Sequence, residues 1–115
     1  MIKQAEQLRR EVVAKLQGGE GQVHMTHLHE ESMFPGKVKL YAKCVIPSGA
    51  SIGRHQHVGN SETYYILSGE ATVEDNGVKA VLRPGDMIFT DDGDFHSIRS
   101  TGGTDLEYIT LILYK

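Results

Sequence analysis

A chain of 115 residues, 39% hydrophobic and 23% charged, has the length and balance of one ordinary globular domain with one real core. Its net charge of −3 and the lack of a basic run exclude a cationic track for a phosphate backbone, so no nucleic-acid partner is expected. No segment approaches the roughly 18 apolar residues of a membrane span, the charged N-terminus lacks the apolar centre of a secretory signal, and the single Cys44 closes no intrachain disulfide; a cytoplasmic protein with no membrane partner is expected.

Residues 3–17 read KQAEQLRREVVAKLQ. Ala5, Leu8, Val12 and Leu16 recur at spacings of three and four, with Ile2 and Val13 at the edges of the stripe, and Lys3, Glu6, Arg9, Arg10 and Lys15 fill the remaining positions. This pattern predicts an N-terminal α-helix ended by Gly18, Gly19 and Gly21, so that residues 1–21 form a helix and a glycine-rich connection and residues 22–115 the main domain. The glycine run is no phosphate loop, because it follows a helix and lacks a Lys-Ser/Thr pair. The stripe needs a sheet or a second subunit to cover it.

His24, His27 and His29 follow. His27 and His29 share strand parity, but two imidazoles with no carboxylate at a defined return position make a weak site, and they are expected as surface or interface histidines on an edge strand. Pro35 and Gly36 mark a turn. From Val38 to Ile46 the chain alternates, with Val38, Leu40, Ala42, Cys44 and Ile46 facing inward and Lys39, Tyr41 and Lys43 outward. Cys44 is thus read as a small core residue and not a nucleophile.

The stretch Gly49–Gly69, GASIGRHQHVGNSETYYILSG, carries the chemistry. His55 and His57 lie two apart and share one face of a strand, and a polar connection at 58–61 lets a returning strand bring Glu62 beside them. An isolated HxH pair equally fits two exposed or hydrogen-bonded histidines. With a third imidazole at His96, however, the set suits one divalent first-row ion such as Mn, Fe, Ni, Cu or Zn. Tyr64 and Ile66 share the parity of Glu62 and should line the cavity, Tyr64 as a candidate catalytic donor or, equally, a packed core residue; Tyr65 and Leu67 face outward. Asp75, Asn76 and Gly77 predict a hairpin turn, Met87–Thr90 a short strand, and Leu106–Tyr114 a last strand apolar on both faces. Asp91, Asp92 and Asp94 lack the spacing and distal glutamate of a calcium loop and read as a solvated turn that delivers His96.

The spacing of Gly49, His55, His57, Glu62 and Gly69 reproduces the first motif of the cupin superfamily. The second is present but degraded: Gly85, Gly93 and His96 stand in place, while Asp91 replaces the usual proline and Ser100 the usual asparagine. Only fifteen residues, Glu70–Pro84, separate the two, and the resemblance runs from about Val38 to the C-terminus. It implies an all-β double-stranded β-helix, a jelly-roll barrel, with His55, His57, Glu62 and His96 as ligands of one metal ion.

The same resemblance leaves the reaction open, since cupins host many chemistries. The loose similarity of HxH, YYILSGE and PGD to proteins grouped with oxalate decarboxylases implies a metal-dependent enzyme acting on a small carboxylate or related substrate. An iron-dependent dioxygenase and a non-enzymatic small-molecule or sugar-binding domain are the alternatives. Oxalate itself is not expected: true oxalate decarboxylases carry two cupin domains, an inward arginine and a lid glutamate, whereas Arg54 and Arg99 have outward parity and no lid-length insertion is present. The outward apolar side chains of Tyr65, Leu67 and the last strand need cover, from the N-terminal helix or from a second copy, and a homodimer is expected.

Overall fold

Alternating burial along the strands builds the molecule. In the computed structural model, which describes residues 1–115, ten strands form two antiparallel sheets: β1 (Arg10–Ala14), β2 (Gln22–His29), β3 (Val38–Ile46), β10 (Leu106–Tyr114), β5 (Asn60–Ser68) and β8 (Met87–Thr90) in one, in that spatial order, and β4 (Ser51–Gln56), β9 (Phe95–Ser100), β6 (Ala71–Asp75) and β7 (Val78–Leu82) in the other. Ala42, Cys44 and Ile46 of β3 are buried as alternation requires, and they meet Tyr64 and Ile66 of β5, Ile98 of β9 and Tyr108 of β10 in one core between the sheets. Leu106, Ile66 and Ile98 are almost wholly enclosed, so truncating Ile98 to alanine should cost about 2–5 kcal/mol in a denaturant titration.

The predicted hairpin joins β6 to β7 through Asn76 and Gly77, both at positive φ (48° and 85°), the turn geometry that matches the twist of the flanking strands. Met87–Thr90 and Leu106–Tyr114 form strands at the expected bounds.

The N-terminal helix is not formed. Residues 5–7 and 16–18 are single 3-10 turns, and between them Arg10–Ala14 pairs antiparallel with β2, Val13 opposite Val23. An isolated helix of this length is marginal, and adjacent β-branched Val12 and Val13 favour a strand once β2 offers a full ladder. The glycines predicted to cap a helix instead return the chain, with the Lys15 amide donating to the Gly21 carbonyl at 2.9 Å. This hairpin strap lies over β4, and neither it nor any helix covers the outer face of β5 and β8, where Tyr65, Leu67, Met87 and Phe89 are each 41–54% exposed.

Candidate metal centre

The two predicted motifs meet on the inner face of the barrel. His55 and His57 come from β4 and the residues just after it, Glu62 from β5 and His96 from β9, and their ligand atoms all lie within 4.8 Å of one another. The sheet register explains the meeting: His55 stands directly opposite His96, and Glu62 opposite Thr90 and Ile112. A bulge between Ile52 and His55 on β4 lets both point inward although two residues, Gly53 and Arg54, lie between them, a spacing that plain alternation would put on opposite faces. His96 Nε2 is 3.0 Å from both His55 Nε2 and His57 Nε2, and Glu62 Oε1 lies 3.0 Å from His57 Nε2 and 3.3 Å from His96 Nε2.

The other nitrogen of each imidazole is already engaged. His55 Nδ1 donates to the Gly53 carbonyl (2.7 Å), His57 Nδ1 to Asn60 Oδ1 (2.5 Å) and His96 Nδ1 to the Thr90 hydroxyl (2.8 Å), whose own proton is directed at Asp75 Oδ1 3.5 Å away. Those bonds turn the three Nε2 atoms toward one another across about 3 Å beside a carboxylate, where they share protons with Glu62 or, once those protons leave, offer their lone pairs to a cation. With the protons gone the lone pairs repel one another, and a shared divalent cation turns them into a ligand set with its outer partners in place. The donor set therefore fits one metal ion.

Electrostatics agrees. Burial alone would raise the Glu62 pKa, but hydrogen bonds from His57, His96 and Thr110 outweigh it and hold the carboxyl at about 2, so it is ionised at any working pH. Thr110 Oγ1 donates to Glu62 Oε2 at 2.5 Å. His57 is shifted up by its bond to Glu62, and His55 down by burial. Burial pushes the Cys44 thiol to about 12, which makes it a core group and not a nucleophile.

The cluster opens into a cavity of about 350 Å³ between the sheets, walled by Met25, Leu40, Ile52, Tyr64, Tyr108 and Ile112. Tyr64 stacks on the His96 ring (centroids 5.3 Å apart, planes at 20°), and burial raises its hydroxyl well above the usual phenol range. The strap closes one side of this cavity with Leu16 and Gln17. Arg54 and Arg99 do face outward, as their parity required: Arg54 pairs with Glu74 over the Phe95 ring, and Arg99 donates to the Gly49 carbonyl.

The histidines of β2 join no cluster. A bulge between His27 and His29 breaks their shared parity, and β2 is an interior strand, not an edge. His27 is buried against Glu11 Oε1 at 2.9 Å, and His29 lies between Phe34 and Tyr41. His27→Ala should accordingly leave metal content, read by elemental analysis, unchanged.

Sequence reasoning missed Asn60, Thr90, Thr110 and Lys39. The two threonines carried a signal: each is a small hydroxyl side chain at an inward position of a mostly apolar strand, MIFT and LEYITLILY. Because an outer partner of a metal ligand typically contributes 10–100-fold in affinity, Thr90→Val should weaken metal binding by about that factor in a chelator competition, and the buried His96 Nδ1 left without its partner should lower stability by about 1–3 kcal/mol.

Comparison with known proteins agrees with this geometry. The chain is 40% identical over 113 residues to the oxalate-binding protein of Thermotoga maritima, covering 98% of this chain and 93% of that one. The crystal structure of a predicted oxalate decarboxylase from Thermotoga maritima superposes with a TM-score of 0.94 at 39% identity over the whole of both chains. A polyketide cyclase from Streptomyces resistomycificus shares the fold alone, with a TM-score of 0.77 at 17% identity over 99% of this chain and 80% of that one. With residues 42–112 also matching the family model described as the cupin domain, the chain belongs to the cupin family.

Proposed function

We propose that this protein binds one divalent first-row metal ion per chain through His55, His57, Glu62 and His96, and captures a small carboxylate at the positions left open toward the cavity. The observation that carries this reading is the convergence of three oriented Nε2 atoms and an ionised carboxylate on the wall of an otherwise largely apolar cavity. The oxalate-binding relative supports a small, oxygen-bearing anion as the ligand.

When bound, the ion supplies Lewis acidity that polarises a ligand oxygen. The residues of the chain do the rest. Gly53, Asn60 and Thr90 hold the imidazoles in one tautomer, and the apolar wall of Leu40, Ile52 and Ile112 limits water around the ligand. Tyr64 lines the cavity, and its hydroxyl, raised by burial well above the usual phenol range, would donate a hydrogen bond to a ligand and not abstract a proton. The exposed row of Tyr65, Leu67, Met87 and Phe89 supports burial against a second copy, a homodimer that light scattering would reveal as twice the chain mass.

The test is calorimetric titration of the manganese-loaded protein with oxalate. Saturable binding at one oxalate per chain is expected, lost on removal of the metal by a chelator. Equal binding with and without metal would sink the reading.

A further inference from the structure

By simple alternation Lys39 belongs on the outside of β3 with Tyr41 and Lys43. The pairing of β3 with β10 breaks that alternation: Ile112 faces Leu40 and Leu113 faces Val38, which leaves Lys39 as the extra residue of a β-bulge. Bulges re-aim side chains, and this one brings Lys39 to the lining of the metal cavity. Apart from the imidazoles of the metal cluster, it is the only lining side chain able to carry positive charge. Lys43, four residues on, is held by Glu107 at 3.5 Å, whereas no carboxylate lies within ion-pairing distance of Lys39.

Charge balance gives that cation a use. A divalent ion with one carboxylate and three neutral imidazoles carries one net positive charge. A monoanionic chelator neutralises it. A dianionic one leaves a negative charge in a cavity with apolar walls, where an uncompensated charge is costly. A lysine at the mouth offsets it.

We infer that Lys39 is a specificity-determining residue of the cavity, contacting the outer carboxylate of a chelating dicarboxylate and selecting dianions over monoanions. This rests on the reading of the site as a metal-dependent carboxylate binder. It does not require the inward arginine that the sequence lacks, because the bulge supplies a cation from a different strand.

Oxalate and glycolate separate the idea cleanly, since both chelate through two oxygens and differ by one charge. Manganese-loaded wild type, Lys39→Met, Lys39→Arg and Lys43→Met are titrated with each anion by calorimetry, and metal content is measured before and after. Lys39→Met should weaken oxalate binding roughly tenfold, the scale of a charge-assisted hydrogen bond, and change glycolate binding by less than about twofold. Lys39→Arg should restore most of the oxalate affinity, while Lys43→Met and all metal contents stay at the wild-type level. Equal oxalate affinity in wild type and Lys39→Met would overturn the assignment of Lys39 alone, as would equal weakening toward both anions. A wild-type protein that binds neither anion would instead overturn the carboxylate reading of the centre.

Discussion

The His55→Ala protein is expected to lose its bound ion while keeping its fold. His55 is the least buried member of the cluster, and its other ring nitrogen serves only the Gly53 carbonyl, which water can satisfy after the change. Unfolding free energy of the metal-free protein should fall by only about 1 kcal/mol. Metal affinity should fall by more than the roughly 10–100-fold that removal of an outer partner costs, since a ligand itself is gone. His57→Ala has the same effect on metal but a larger one on stability, because it leaves Asn60 Oδ1 without its imidazole donor and removes a bond to buried Glu62, at about 1–3 kcal/mol. Elemental analysis after dialysis, with thermal melts of the chelated proteins, reads both quantities. Wild-type metal content in His55→Ala would refute the role given to this side chain.

The Gly53→Ala protein is expected to fail at both fold and site. A Cβ at position 53 would sit 2.1 Å from the Gln17 carbonyl oxygen and 3.0 Å from the Gly19 amide nitrogen, both backbone atoms that no rotamer change can clear. The strap over β4 must move, taking Leu16 and Gln17 from the cavity wall, and the Gly53 carbonyl that orients His55 must move with its strand. Overpacking of this kind costs about 1–3 kcal/mol, so the denaturant midpoint should drop together with metal affinity. An unchanged midpoint would show that the strap is not held against β4.

How much of this was legible beforehand follows from the distance over which each feature is decided. The strands from Val38 onward were readable because one buried face imposes a period of two, and the hairpin at Asn76–Gly77 because its residues tolerate the required φ. The convergence of His55, His57, Glu62 and His96 was readable from motif spacing, which encodes register through turn lengths. The N-terminal strand was not, because Ala5, Leu8, Val12 and Leu16 satisfy a helical period and only the ladder offered by β2 reverses the choice. That Lys39, exposed as alternation expects, also reaches the rim of the cavity, and that His29 loses the parity of His27, went unread for a single cause: a bulge shifts register by one residue, and nothing in the local sequence announces it.

The centre itself is tested most directly by an anomalous-scattering map of the protein crystallised as purified, recorded at the absorption edge of whatever metal elemental analysis finds. The account predicts one peak per chain about 2.0–2.2 Å from the Nε2 atoms of His55, His57 and His96 and from a Glu62 carboxylate oxygen. A peak beside His27 or His29, or stoichiometric metal with no density between these four side chains, would contradict it.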